Sequence, residues 1–144
     1  MTTTATRTQP TATTKSVDRV RPYVLAAFRV VTSALFLMHG LQGFGLFGGI
    51  DGHGAAVPLG SFPGFWASAI EVVGAALIMI GVATRPAAFV LSGVMAYAYF
   101  TVHAPMGLLP MQNLGEPAAL YSWIFLTITV TGPGAFALSR KVRQ

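Results

Sequence analysis

Four charged or titratable side chains interrupt the long apolar stretches of this sequence. They are Arg29, His39, Glu71 and His103. In a bilayer, a charge facing lipid costs from about 3 to over 10 kcal/mol, so each side chain is expected to point toward other helices and find a partner there. One carboxyl group and two imidazoles offer proton transfer and hydrogen bonds to the polar group of a bound molecule.

Glu71 is the most informative of these residues. It stands about nine residues from the outer end of its apolar stretch, which is roughly 14 Å at a helical rise of 1.5 Å per residue and close to the midplane of a bilayer. A carboxyl group there either pairs with a cation or keeps its proton. Arg29 is the residue of permanent positive charge within the apolar stretches. By the same rise per residue, its depth in the bilayer differs from that of Glu71 by roughly 12 Å. In the alternative interpretation, Arg29 reaches back to the cytoplasmic interface and Glu71 is a structural hydrogen-bonding group.

The two histidines fall in the outer halves of their apolar stretches, where they predict a polar cluster that opens outward. Gln42 shares a helix face with His39, and Tyr99 shares one with His103, because residues three or four apart are neighbours on a helix. Glu71, His39 and His103 are assigned to catalysis. The residues assigned to binding a cofactor or ligand are Gln42, Tyr99, Asn113, Glu116 and Arg29.

The ligand of this cluster stays open. A quinone suits it, because a quinone carbonyl needs a hydrogen-bond donor and its reduction needs protons. Haem is disfavoured: two histidines on different helices of a bundle can hold it, but nothing in the sequence demands it. The side chains of His39, Glu71 and His103 fit zinc or copper by ligand type, yet their spacing is uninformative and no metal is assigned. In the structural alternative, the histidines only satisfy hydrogen bonds.

Four apolar blocks carry these residues, and each has about the 20 residues that a helix needs to cross a hydrocarbon core. They span residues 23–47, 62–82, 86–105 and 117–138. Eight of the nine Lys and Arg residues flank the blocks, whereas connectors 48–61 and 106–116 contain none. Because basic residues stay on the cytoplasmic side, both termini are predicted to be cytoplasmic. The aromatic residues that a membrane interface belt explains are Tyr23, Trp66, Tyr121 and Trp123.

The composition favours a membrane protein. Of the 144 residues, 53% are hydrophobic and only 9% are charged, too few to cover the surface of a soluble domain. The net charge of +5 does not indicate nucleic-acid binding, because the basic residues form no interleaved basic face. The absence of cysteine excludes disulfides, thiolate metal sites and iron–sulfur ligation by this chain.

The connectors set the expected order of the helices. The first, 48–61, is glycine-rich and expected to be flexible, and the second, 83–86, is so short that it forces an antiparallel helix hairpin. Pro22 suits the first turn of the first helix, and Gly132-Pro133-Gly134 is expected to kink or end the fourth. The predicted fold class is therefore all-α, a membrane four-helix bundle of up-down-up-down order. Three regions are predicted: a disordered Thr-rich tail at 1–20, the transmembrane domain at 21–140 and a basic tail at 141–144.

Beyond these patterns, the motifs of the chain resemble those of the DoxX family of membrane proteins. The matching stretches are Arg29 with FLMHGLQGFG at 36–45, EVVG at 71–74, GVATRPAA at 81–88, HAPMG at 103–107, NLGE at 113–116 and GPGAFAL at 132–138. The matched motifs keep the family's order and spacing over nearly the whole of residues 21–140. Three positions depart from the family's pattern: Gly43 stands where it has Lys, Leu108 where it has Phe, and Leu114 where it has Gly.

The resemblance implies a four-span protein of the bacterial inner membrane. Relatives include a subunit of a thiosulfate–quinone oxidoreductase, and some are linked to membrane-associated responses to oxidative stress. It therefore implies a quinone-linked role beside a soluble or membrane redox partner, with catalysis by this chain alone left open. The alternative hypothesis is a non-catalytic membrane component: a scaffold, an assembly factor or a small-solute carrier. Helix surfaces rich in Ala, Gly and Phe suit lipid and a second copy equally, so the oligomeric state stays open.

Overall fold

Each of the four apolar blocks contains one long α-helix in the computed structural model, which describes residues 12–141. The helices are α1 (Ala12–Gln42), α2 (Gly64–Ile80), α3 (Thr84–Ala98), α4 (Glu116–Thr131) and the short α5 (Leu138–Lys141). A π-helical turn, Tyr99–His103, and a 3-10 turn, Ala104–Met106, extend α3. The described residues contain isolated β-bridges but no β-strand, so the predicted all-α class is confirmed.

Glycines end two of the long helices. α2 ends at Gly81, whose φ of 79° is a left-handed conformation that glycine adopts without strain. α4 begins beside Pro117 and ends at Gly132, so the expectation that the Gly-Pro-Gly segment ends the fourth helix is confirmed. Only residues 81–83 join α2 to α3, which makes these two helices an antiparallel hairpin.

α1 differs from its prediction at both ends. It begins at Ala12, so residues 12–20 are helical rather than part of a disordered tail, and residues 1–11 lie outside the described part of the chain. Pro22 is inside α1 and not in its first turn, because the helix already begins at Ala12. α1 ends at Gln42, before the glycine-rich connector, and not at the end of the apolar block. At the other terminus, Lys141 still belongs to α5 and residues 142–144 are outside the described range.

The first connector has a defined hydrogen-bonded structure, in contrast to the flexible loop that its glycines predicted. The N–H of Ile50 donates to the carbonyl of Ala55 at 2.9 Å. The Oδ1 atom of Asp51 accepts the backbone N–H groups of His53, at 2.8 Å, and of Ala55, at 3.0 Å. Glycines supply the positive φ angles that let the backbone double back between these bonds.

The core joins all four long helices. Phe36 of α1, Ile78 of α2, Leu91 of α3 and Phe125 of α4 are fully buried in it. Each long helix packs chiefly against the next one along the chain. Gly74 allows α2 and α3 to approach closely, because a Cβ atom at this position would lie 2.8 Å from a side-chain atom of Leu91. Small residues therefore mediate close helix contact at this point.

The surface is apolar, and charged groups lie inside. Two helical segments are long and apolar enough to cross a membrane, Ser16–Gln42 and Thr84–Met106, and α2 is apolar but shorter. Large apolar side chains are exposed on all four long helices, among them Val24, Val31, Val73, Phe89, Trp123 and Val130. By contrast, Arg29 is only 2% exposed and Glu71 only 6%. Water-soluble monomers rarely expose large apolar patches, so this surface suits a lipid environment.

Candidate functional site

A cavity of about 330 Å³ opens between α1 and α4. Leu35, Leu120 and Ile124 are among the apolar residues of its wall. Thr32, Glu116 and Tyr121 add two hydroxyl groups and one carboxyl group to the same wall. A mostly apolar cleft with a few convergent polar groups is the usual form of a small-molecule site, and this volume is at the lower end of the range of roughly 300–1,000 Å³ for such sites.

The ring of Tyr121 lines this α1–α4 cavity and packs against other aromatic rings. The ring of Phe36 lies 4.8 Å from that of Tyr121 and 4.7 Å from that of Phe125, measured between centroids. The imidazole of His39 stacks on Tyr121 at 6.4 Å with an angle of 25° between the planes. His39 is exposed and is not among the residues that line the cavity. Helical spacing explains the arrangement, because residues 32, 36 and 39 lie on one face of α1.

A hydrogen-bond network holds the start of α4, where Glu116 stands. Nδ1 of His103 lies 3.0 Å from the carbonyl oxygen of Asn113, so it carries the proton and donates in this arrangement. The Asn113 side chain is 1% exposed, donates to the carbonyl of Gly107 at 2.8 Å and accepts the N–H of Gly115 at 2.8 Å. These bonds hold the third connector together, and the last of them involves Gly115, the residue that precedes Glu116.

Tyr99 belongs to the same neighbourhood. A Cβ atom at Gly115 would lie 2.7 Å from Cβ of His103 and 2.9 Å from Cδ2 of Tyr99. Tyr99 and His103 are the two ends of the π-helical turn, a local irregularity that is frequent at functional sites. The structure thus brings together three of the assigned residues, Tyr99, His103 and Asn113, around Gly115.

Glu71 occupies a different contact, between α2 and α1. A Cβ atom at Gly40 would lie 3.0 Å from Cβ of Glu71, so the two helices meet closely at this point. Gly43 meets Ser68 in the same seam, one turn away on each helix. With 6% of its surface exposed, Glu71 is inside the protein, as the sequence required of an intramembrane carboxyl group.

The three residues assigned to catalysis contact different neighbours. His39 lies against α4, Glu71 against α1 and His103 against the third connector. Among the described residues there is no group of three or more His, Asp or Glu side chains that could hold a metal ion.

Arg29 is buried, and its side chain contacts the segments that follow α2 and α4. Its Nη1 atom donates to the carbonyl of Pro133 at 2.9 Å. If Gly81 carried a Cβ atom, that atom would lie 2.6 Å from Nη1 of Arg29. The Nε atom of Arg29 has no hydrogen-bond partner within residues 12–141. Arg29 therefore holds the segment after α4 against α1 and the end of α2. Gln42 makes a long bond of 3.4 Å from Nε2 to the carbonyl of Phe47, in the turn after α1.

Two polar residues of the α1–α4 cavity, Thr32 and Tyr121, were not among the site residues predicted from the sequence. Thr32 attracted no attention because a threonine in an apolar helix is ordinary. Tyr121 was assigned to an aromatic belt, yet it lines the cavity and stacks with His39. The available signal was their helical spacing, which places Thr32 on the face of His39 and Tyr121 on the face of Pro117 and Ile124.

Comparison with known proteins agrees with the motif pattern. The family model for DoxX matches residues 24–104. The chain is 43% identical over 129 residues to an uncharacterized protein of Haemophilus influenzae, and the match covers 88% of this chain and 96% of that protein. No solved structure matches the chain. The family match spans more than half of the residues and the relative is similar over nearly its whole length, so this chain belongs to the DoxX family.

Proposed function

We propose that the chain is a four-span protein of the bacterial inner membrane, a four-helix bundle of up-down-up-down order with both termini in the cytoplasm. Antiparallel contacts support this order: Gly40, late in α1, meets Glu71, whereas Arg29, earlier in α1, meets Gly81 at the end of α2. Arg85, at the start of α3, lies at the same end as Arg29. The connectors at the opposite end contain no Lys or Arg, which favours the basic end as cytoplasmic.

In that membrane, the α1–α4 cavity binds the ring of a quinone, and the chain acts as a quinone-linked subunit beside a redox partner. The observation that carries this proposal is the combination of an apolar cleft with the polar groups of Thr32, Glu116 and Tyr121 in one place. The hydroxyl groups of Thr32 and Tyr121 are suited to donate to quinone carbonyls, and Leu120 and Ile124 are suited to the apolar tail.

Reduction of a quinone to a quinol takes two electrons and two protons. Glu116 is exposed and lines the cavity, and it is proposed to exchange protons with water, with His39, stacked on Tyr121, as a second carrier. Glu71 is proposed to hold a proton inside the helices, and His103 to position the start of α4 through Asn113. The electrons must come from a partner subunit that is oxidised in turn, because this chain has no cysteine for an iron–sulfur or dithiol centre.

The test is quinone binding to the purified full chain in nanodiscs, with a decyl-substituted benzoquinone as the probe and tryptophan-fluorescence quenching as the readout. Thr32→Val and Tyr121→Phe each remove one hydroxyl group with almost no change of volume. We expect each to weaken binding about threefold to tenfold, the value of one net hydrogen bond. The matched controls are Thr127→Val and Tyr97→Phe, which remove the same groups from exposed positions outside the cavity. Binding that is absent, or that the controls weaken equally, would remove the quinone proposal.

A second candidate is a non-catalytic scaffold or assembly factor, and one observation favours it. Several polar groups within the helices are satisfied by the protein itself: Ser92 and Ser122 each donate to the other's carbonyl, at 2.8 and 3.1 Å. Such pairs join helices without any ligand. In this case Glu71→Gln lowers the thermal stability in detergent, and a lipid extract of the purified protein contains no quinone. A co-purified quinone that Tyr121→Phe removes would instead favour the first proposal.

A further inference from the structure

A second polar cavity lies at the basic end of the helices and shares no residue with the α1–α4 cavity. Its volume is about 230 Å³. Arg21 comes from α1, Arg85 from the start of α3 and Thr131 from the end of α4, and Pro133 and Gly134 complete the wall. Two guanidinium groups from different helices therefore line one hollow, and no Asp or Glu is among its lining residues.

The wall of this Arg21–Arg85 cavity is held in place from behind. The carbonyl of Pro133 accepts Nη1 of the buried Arg29 at 2.9 Å, and the N–H of Ala135 donates to the carbonyl of Pro22 at 2.8 Å. Gly134 packs so tightly on α1 that a Cβ atom there would be 2.6 Å from the backbone nitrogen of Ala26. The cavity is thus built by the fold and does not depend on an occupant.

The donors of the two arginines remain available. Arg29 donates to Pro133, whereas no described residue accepts a hydrogen bond from the side chain of Arg21 or Arg85. The guanidinium of Arg85 lies over Gly132, with Nη2 at 3.1 Å from the position of a Cβ. Asp18 is the acidic residue nearest in sequence, one turn before Arg21 on α1, and it is not part of the wall.

We infer that the Arg21–Arg85 cavity binds the phosphate group of an anionic ligand, with both guanidinium groups donating to phosphate oxygens. The planar donor fork of arginine matches a phosphate in two-point geometry, and two forks from separate helices fix it in one place. The positive end of α3 adds a favourable field, since its first turn begins here. Exposed Val24 and Phe89 on the neighbouring helices offer apolar surface beside the cavity. Either the headgroup of an anionic lipid or free phosphate can supply the phosphate group that this cavity binds. The inference is independent of the quinone proposal.

The experiment is native mass spectrometry of the delipidated full chain in detergent, with titrations of phosphatidylglycerol, phosphatidylcholine and inorganic phosphate. Arg21→Gln and Arg85→Gln each remove one guanidinium, and Arg19→Gln removes the same charge from an exposed position of α1 that is not in the wall. Helical circular dichroism confirms that each variant is folded.

We expect one saturable site that prefers phosphatidylglycerol to phosphatidylcholine, and at least about tenfold weaker binding in Arg21→Gln and Arg85→Gln, as the loss of charged hydrogen bonds implies. Arg19→Gln should change the affinity less than twofold. If inorganic phosphate also binds and competes, the site takes free phosphate as well; if it does not, the lipid headgroup is the ligand. Equal affinity for the two lipids, or equal loss in Arg19→Gln and Arg85→Gln, would overturn the inference. Even if a variant fails to fold, the absence of a preference for phosphatidylglycerol in the unaltered chain would overturn the inference.

Discussion

The two ends of the helices hold their polar groups in different ways. At the basic end, backbone groups and glycines close the contacts: the N–H of Ser139 donates to the carbonyl of Gly81 at 3.3 Å, and Arg29 donates to the carbonyl of Pro133. At the opposite end, the side chains of His103 and Asn113 form the network. The contact around Gly81 therefore has no space for an added atom, whereas the opposite end cannot lose a hydrogen-bonding group. A substitution that adds volume should therefore destabilise the basic end, whereas one that removes a hydrogen-bonding group should destabilise the opposite end.

The largest effect is expected from added volume at the basic end. In Gly81→Ala, the new Cβ atom would lie 2.6 Å from Cα of Ala137 and 2.6 Å from Nη1 of Arg29, at a φ of 79°. Left-handed strain of about 1–2 kcal/mol and overpacking of about 1–3 kcal/mol should together lower the free energy of unfolding by about 2–5 kcal/mol. Thermal and denaturant unfolding in detergent measure it.

The control for this prediction is Gly52→Ala. Gly52 has nearly the same φ, 80°, but no atom lies within 4 Å of its Cβ position. Its substitution carries the backbone strain without the clash. If both variants lose the same stability, the close contact between Gly81 and Ala137 does not stabilise the protein, and the comparison of the two ends fails.

At the opposite end, removal of a hydrogen-bonding group should have the next largest effect. Asn113→Ala leaves the carbonyl of Gly107 and the N–H of Gly115 without their partners. The bond to Gly115 is the buried one of the two, and its loss costs about 1–3 kcal/mol. It should also loosen the start of α4 and weaken quinone binding in the α1–α4 cavity. The neighbouring exposed residue provides the control, since Gln112→Ala should stay within about 0.5 kcal/mol of the unaltered chain. Unchanged stability in Asn113→Ala would show that the network is not what fixes Glu116.

The sequence predicts the helices better than it predicts the site, for a physical reason. Apolar blocks and Gly-Pro signals are local, so the four helices and the end of α4 at Gly132 followed from the pattern. Burial of Arg29 and Glu71 also followed, because a charge is costly in an apolar environment. Contacts between helices depend on rotation and register, which no local pattern contains. Tyr121 therefore looked like an interface residue.

The middle of the molecule offers a finer comparison, between a crowded glycine and an open one. A Cβ atom at Gly40 would lie 3.0 Å from Cβ of Glu71 and 3.1 Å from the backbone nitrogen of Val72, whereas nothing lies within 4 Å at Gly93. Alanine favours a helix over glycine by about 1 kcal/mol, so Gly93→Ala should stabilise the protein. In Gly40→Ala, overpacking of about 1–3 kcal/mol should cancel or exceed that gain. Unfolding of the two variants side by side measures the difference. An equal gain of stability in both variants would mean that α1 is not in tight contact with Glu71.

The smallest effect is expected in the first connector, where a carboxylate orders a loop by accepting backbone N–H groups. Hydrogen bonds from the backbone N–H groups of Ala55 and His53 lower the pKa of Asp51 below that of an ordinary aspartate. Because its pKa is lowered in the folded chain, the order that it contributes is complete above the ordinary aspartate pKa of about 3.9 and is lost only as the pH falls through the lowered value. Hydrogen exchange of the His53 and Ala55 amides should therefore show protection that disappears on acidification, and Asp51→Asn should remove this pH dependence. The amide of Ile50, which donates to a backbone carbonyl, is the internal control. If all three amides lose protection together, or if Asp51→Asn keeps the same pH profile, the loop is ordered by its backbone bonds and not by this carboxylate.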